Sequence, residues 1–302
     1  MKRRTNMPDW KTCKQVALCG ALALLAQIAS LTVVAAQSAT DRVLKEGKIT
    51  IGVNNNSPWS FVDETGTVTG LQPNELRAVL GSVGLKEIEF VPLEWNALIP
   101  SLMAKKIDAI ATGMSITPQR CEQVIFANPD VAVTMGAVVL ATNPKKIHSF
   151  EQIAKDPSIR VAADRGTLEA KALAEAGVPS DRIMLLPDSQ AAFAALLGGR
   201  VDAYAGTTVT VTKSVVDPGL KGKLEAATPF TGLVKDGEEK AFYPAVVFRN
   251  EDAKLRDIYN DGLQKTKKDG TLREIIDKLG FNNLKIAPET VTAKSLCEGN
   301  YR

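Results

Sequence analysis

The chain of 302 residues is 45% hydrophobic and 24% charged, with 37 lysines and arginines against 34 aspartates and glutamates. Five of the basic residues and one acidic residue fall in the first 36 positions, so the remainder is close to neutral and lacks the basic stripe that nucleic-acid binding requires. With His148 the single histidine and no cysteine in a catalytic setting, neither a histidine-rich metal site nor cysteine–histidine catalysis is expected, and no metal or cofactor is called for.

Lys2, Arg3, Arg4, Lys11 and Lys14 precede a stretch from Val16 to Ala36 that carries no charge and ends in Val34-Ala35-Ala36. A basic start, an apolar core and a small-residue end predict a signal peptide over residues 1–36, and hence a periplasmic or otherwise extracytoplasmic protein. The apolar core is also about long enough to be a membrane anchor, but its alanine content and small-residue end favour cleavage. A lipoprotein signal at Cys19 is disfavoured, because Leu18 stands where a small residue is expected. Removal of the leader leaves Cys121 and Cys297. In an exported chain such a pair suggests a disulfide, two free buried thiols being the alternative.

Lys48–Val53 reads as an opening strand, followed by a polar loop carrying Trp59 and Phe61 and by a turn at residues 63–66. A helix follows, with Gln72 a poor cap, Pro73 near its start and Leu76, Val79 and Leu80 on one face. Ile88–Val91 is the second strand, Glu94–Ala104 a helix, and Ile107–Thr112 a buried strand that Gly113 breaks. Thr117 then reads as a helix N-cap and Pro118 as the first helical position. Arg120 falls in the first turn, facing the positive end of the helix dipole. An anion at that end removes the conflict, because free backbone N–H groups and the guanidinium converge on it. A carboxylate site and a solvated surface arginine are the two readings of this stretch alone.

Val131–Leu140 is one long apolar run. Ser149–Ile153 begins a short helix, and Arg160–Ala163 is a strand ending at Asp164-Arg165-Gly166-Thr167. The helix Leu168–Ala176, the strand Ile183–Leu186, a helix capped by Ser189 and the strand Val201–Gly206 follow. Pro244–Arg249 is a strand returning to the first lobe, and two helices, bearing Leu255 to Leu263 and Leu272 to Leu279, close the chain. The alternation predicts an α/β fold. The run from Leu102 to Ala109 is echoed by the run from Leu196 to Ala203, each ending in a basic residue, a β-branched residue and Asp-Ala, which predicts two similar lobes. Ligands of such sheets lie beyond the carboxyl ends of the strands, so two facing lobes would share one cleft. Its candidate lining is Trp59, Phe61, Trp95, Ser115, Thr117, Arg120, Gly166 and Thr167, although either tryptophan could equally be core. An arginine among aromatic faces suits a zwitterion. Asp108 and Asp202 stand at strand starts, where capping or surface roles are simpler than catalysis, and no nucleophile–histidine–acid order or phosphate loop is present.

The motifs Trp95-x-x-Leu98-x-Pro100-x-Leu102, Asp108-Ala109-Ile110, Gly113-Met114-Ser115-Ile116-Thr117-Pro118-Gln119-Arg120 and Phe126-Ala127-Asn128-Pro129 resemble those of the family 3, polar-amino-acid-type extracellular solute-binding proteins of ABC importers. The resemblance runs from about Lys48 to Leu279. It implies the two-lobed type II periplasmic-binding-protein fold, with two hinge strands and a ligand cleft: a first lobe over 37–137, a second over 138–245, and a return with the C-terminal tail over 246–302. It places Arg120 at the ligand carboxylate, Gly113 and Ser115 on the assisting loop, Trp59 on the aromatic after the first strand, and Thr167 at a carboxylate contact of the second lobe. Thr207 falls where amino-acid binders usually carry an acid for the α-ammonium, so a standard α-amino acid is not the natural expectation.

A similar set of residues, including Arg120-Cys121, the run from His148 to Pro157, the run from Asp202 to Thr207 and Leu296-Cys297, resembles the ectoine- and hydroxyectoine-binding branch. There Trp59 and Trp95 fall on aromatic positions, Ser115 replaces a common aromatic and Asn56 a frequent glutamate. The implied protein is a monomer that is no enzyme. It captures a small zwitterion, ectoine-like or a polar amino acid, and passes it to a cognate ABC permease in the inner membrane. The alternative is an enzyme similar to cyclohexadienyl or arogenate dehydratases, for which Asp164 and Glu169 are conceivable acids.

Overall fold

The computed structural model describes residues 39–85 and 87–302, so the predicted leader over 1–36 lies outside the described residues. No helix among the described residues is long and apolar enough to cross a membrane.

The opening strand, Lys48–Val53, sits second in a five-stranded sheet whose order is Glu87–Pro92, Lys48–Val53, Ala109–Ile110, Val247–Phe248 and Ile125–Phe126. It runs parallel to both of its neighbours, while Val247–Phe248 is antiparallel to the strands beside it. A second sheet has the order Ile183–Leu186, Val161–Asp164, Ala203–Thr207, Met135–Leu140 and Leu224–Ala226, with parallel pairs around Val161–Asp164 and antiparallel pairs around Met135–Leu140. Because side chains alternate across a strand, each sheet feeds two cores. Ala109 and Phe248 join Leu76, Leu255 and Ile276 on one face of the first sheet, and Ile110 and Val247 join Leu98 and Leu102 on the other. In the second sheet Ala163 and Ala205 pack with Ile153 and Leu173, whereas Ala162 and Tyr204 pack with Phe193 and Leu196.

The repeated Asp-Ala motif has the same physical role in both lobes. Asp108 accepts a hydrogen bond from the Thr50 backbone N–H at 3.0 Å, and Asp202 accepts one from that of Arg160 at 2.8 Å. Each carboxylate thereby ties the start of its own strand to the start of its parallel neighbour. In the first lobe the buried Arg249 also pairs with Asp108 at 3.3 Å, and Arg42 pairs with it at 2.6 Å. Structural roles, not catalysis, account for both aspartates.

Several expected elements take a different form. The run Val131–Leu140 is two strands, Val131–Ala132 and Met135–Leu140. The first pairs with Lys285–Ile286 in a separate two-stranded sheet and the second joins the second lobe's sheet, the chain between them pairing at Val133 with the returning Phe242. The helix expected over 94–104 is a 3-10 turn, Trp95–Ala97, followed by the α-helix Leu98–Met103, with Pro100 in its first turn where the missing N–H is harmless. Gln72 is not a cap: Gly70 precedes the helix Leu71–Ser82, and Gln72 is fully buried within it. The helix Thr208–Val216 had no periodic signal, since TVTVTKSVV alternates like a strand. Its hydroxyls bond back along the helix, Thr212 to the Thr208 carbonyl and Ser214 to that of Thr210, and Val209 and Val211 are buried. Tertiary packing overrides the strand preference.

Near its end the chain forms one more short helix, Ala293–Cys297, started by a Thr292–Ser295 capping box. Cys297 is disulfide-bonded to Cys121 with the Cα atoms 5.6 Å apart, closing a separation of 176 residues. Loss of a native disulfide typically costs about 2–5 kcal/mol. A Cys297→Ser variant, like the reduced wild type, is expected to unfold at lower denaturant concentration by about that amount, with the m-value showing whether the unfolded chain also expands.

Candidate functional site

The carboxyl ends of the two sheets face each other across a cleft, and side chains from both close it. On the first lobe, the loop after Lys48–Val53 carries Trp59, which is 2% exposed. Its indole lies on the backbone of Gly113: a Cβ there would stand 2.4 Å from the ring, and the residue's φ of +78° is itself one that favours glycine. Gln72 holds this glycine from below. Its carbonyl accepts from the Gly113 N–H at 2.6 Å, while its amide donates to Asp130 at 2.7 Å.

Arg120 comes from the four-residue helix Pro118–Cys121. Thr117 caps it, accepting from the Arg120 N–H at 3.2 Å. The guanidinium turns back to donate to the Ser115 carbonyl at 2.8 Å and lies 5.6 Å from the centre of the Trp95 ring, within cation–π range. Burial pushes its pKa down to about 10, with Glu169 of the other lobe pulling it back up. It is therefore charged at neutral pH, desolvated, and matched by a carbonyl rather than by an ion pair. The solvated-surface reading of Arg120 does not hold.

The second lobe supplies the opposite wall. Strand Val161–Asp164 ends in Asp164, and Thr167 donates to the Asp164 carbonyl at 2.8 Å and precedes the helix Leu168–Glu175. The Tyr204 hydroxyl donates to Asp164 Oδ2 at 3.1 Å. Burial pushes the Asp164 carboxyl up to about 7; the nearby Glu169 and Asp188 add to this and Tyr204 opposes it. Burial raises Glu169 too, against the pull of Arg120. Thr207 caps the helix Thr208–Val216.

Two indoles bridge the lobes. Trp59 Nε1 donates to Thr207 Oγ1 and Trp95 Nε1 to the Gly166 carbonyl, both at 3.2 Å. The walls close to a cavity of about 40 Å³, room for a water molecule or two. An amino acid can enter only if the lobes part.

Of the residues singled out from sequence, the cavity brings together Asn56, Trp59, Trp95, Gly113, Ser115, Arg120, Thr167 and Thr207. Phe61 and Thr117 are outside its lining. Phe61 pairs with Thr69 in a two-stranded ribbon, and Thr117 is occupied as the helix cap. Asp164 and Glu169, considered above only as enzymatic acids, line the cavity with Tyr204, Thr210 and Phe242. Tyr204 and Phe242 carried no signal, because a strand aromatic is ordinarily core. Asp164 could have been marked as the last residue of a strand feeding the cleft.

A hinged pair of α/β lobes closing on a half-buried arginine is the architecture of a solute-binding protein. Residues 49–282 match the family model of bacterial extracellular solute-binding proteins, family 3, and the chain belongs to that family. A probable amino-acid ABC transporter periplasmic-binding protein from Sinorhizobium fredii is 33% identical over 265 residues, 85% of each chain. Cyclohexadienyl dehydratase from Pseudomonas aeruginosa is 27% identical over 183 residues, 60% of this chain and 67% of that one. Among solved structures, EhuB in complex with hydroxyectoine superposes with a TM-score of 0.75 at 27% identity, over 86% of this chain and 98% of that one. The protein is thus a solute-binding protein of the amino-acid ABC-transporter type. Its relatives are mostly binding proteins, and the similarity to a dehydratase is the weaker one.

Two outcomes follow from this geometry. Gly113→Ala must displace the Trp59 indole and adopt a strained φ, at a cost of about 1–3 kcal/mol, which thermal unfolding and the Trp emission spectrum would both register. For Asp164, a carboxyl raised from 3.8 to about 7 contributes stability that is complete below the lower value and lost as pH rises through the upper one. The unliganded protein therefore loses this contribution between pH 4 and 7, and Asp164→Asn makes that part of the profile less steep in denaturant titrations, the other buried carboxyls keeping the rest of the slope.

Proposed function

We propose that this protein captures a small zwitterionic solute outside the cytoplasm and delivers it to a cognate ABC permease in the inner membrane. The ligand is ectoine-like or a polar amino acid. The observation that carries this reading is Arg120, half-buried in the cleft with a carbonyl as its hydrogen-bond partner. A desolvated guanidinium with donors to spare is an anchor for a carboxylate, which it can take in bidentate fashion. Trp95 already stacks near the guanidinium, and Trp59 offers a second aromatic surface for the rest of the ligand. The likeness to a hydroxyectoine complex and to amino-acid binding proteins supports both ligand classes. Capture would follow from hinge closure, the permease reading the closed state.

The test is isothermal titration of the leaderless protein, unfolded and refolded to strip carried solute, with ectoine, hydroxyectoine and the L-amino acids. One class is expected to bind, and Arg120→Ala to weaken it about 100-fold, the loss of one or two charged hydrogen bonds. Binding unchanged in Arg120→Ala would sink the reading. Incubation with prephenate and arogenate is expected to give no turnover; turnover would move the protein to the dehydratases.

A further inference from the structure

We infer that Asp164 is the cation-recognising group of the cleft and that the ligand's positive end must carry N–H bonds, excluding quaternary ammonium solutes. This rests on the Arg120 reading and narrows its ligand class. The position usual for such an acid is held by Thr207, whose hydroxyl accepts from Trp59 Nε1 and from the Thr210 N–H. Thr207 brings no charge and is already engaged.

Asp164 supplies what Thr207 lacks, from a different strand. It is 5% exposed and lines the cavity. Only one of its oxygens is used: Oδ2 accepts from Tyr204, while Oδ1 is buried with no hydrogen-bond partner. Burying a carboxylate for one phenol hydrogen bond is a poor exchange, and leaving an acceptor unmade costs more than the bond gains. A purely structural site would be served by phenylalanine at 204 and an apolar residue at 164. The pair makes sense if Tyr204 fixes the carboxylate through Oδ2 and a ligand donor completes Oδ1. Arg120 and Asp164 then lie on opposite walls of one cavity, as the two ends of a zwitterion require. A quaternary ammonium has no hydrogen to donate, so it would leave Oδ1 unmatched.

The titration of Asp164 agrees. The groups facing it are Glu169 from the helix after its strand, Asp188 from the next helix start and Tyr204 from the adjacent strand, and together with burial they hold the carboxyl near 7. Arg120 lies across the cleft. A bound cation favours the ionised form, so binding displaces a proton and affinity rises with pH through neutrality.

The experiment uses matched probes that differ only in N–H: glycine against glycine betaine and L-proline against proline betaine, with ectoine and the L-amino acids beside them. Wild type and Asp164→Asn are titrated at pH 6, 7 and 8 in two buffers of different ionisation enthalpy. The expected result is at least tenfold weaker binding of every quaternary form, release of a substantial fraction of a proton at pH 7, and tighter binding at pH 8 than at pH 6. Asp164→Asn should lose at least tenfold in affinity and most of the pH dependence, Glu169 supplying what remains, and Tyr204→Phe should weaken binding while keeping that dependence. Quaternary analogues binding as well as their parents, or Asp164→Asn binding within twofold of wild type, would overturn the inference and leave the Arg120 anchor intact. Affinity falling with pH would make Asp164 a donor to an anion and overturn it likewise. If Arg120→Ala leaves binding unchanged, or wild type binds none of the probes, the anchor reading fails and this inference goes with it.

Discussion

A guanidinium taken out of water and given no counter-charge is the constraint from which the rest of the cleft follows. Charges are buried at high cost unless paired, and several elements of the first lobe converge on Arg120 to hold it in place. Thr117 and Pro118 start the short helix that carries it, Ser115 bends its carbonyl back to meet it, and Trp95 covers one side. Cys121, the next residue, is bonded to Cys297, so the C-terminal segment braces the same turn. The carboxyls of Glu169 and Asp164 on the opposite wall balance the field without approaching closely enough to form an ion pair. The cleft thus sets a guanidinium on one wall against carboxyls on the other.

The first wall is set with similar economy. Trp59 lies on bare backbone at Gly113, and Gly113 is fixed by Gln72, whose amide is oriented by Asp130. Asp130 lies against Glu75, and burial raises both carboxyls. Tyr259 donates to Glu75 at 3.1 Å. The chain of contacts runs from a helix near the C-terminus through the first lobe's core to the aromatic wall.

Much of this was legible from the residues. Strand–helix alternation and the repeated Asp-Ala motif gave two α/β lobes, and the Thr-Pro-x-Arg start located the anchor. What escaped did so for identifiable reasons. Gln72 looked like a weak cap because a buried glutamine inside an apolar helix face is rare and its partners are 41 and 58 residues away. Thr208–Val216 received no assignment because its β-branched alternation carries no helical period, whereas its helix is imposed by packing against the sheet. Phe61 was drawn to the cleft by its nearness to Trp59, but a tight ribbon turns it away. Asp164 enters the sequence reading only as an acid for the dehydratase alternative, because its approach to the cleft depends on the fold bringing the end of its strand to the opposite wall.

Both tryptophans among the described residues, Trp59 and Trp95, sit in the cleft, and each spends its indole N–H on a bond to the opposite lobe. Parting the lobes breaks both bonds, moves the buried Trp59 ring into water and changes the surroundings of the partly exposed Trp95. The protein therefore carries its own optical reporter, since the intrinsic emission of these described residues comes from the one place where opening, closing and occupancy differ.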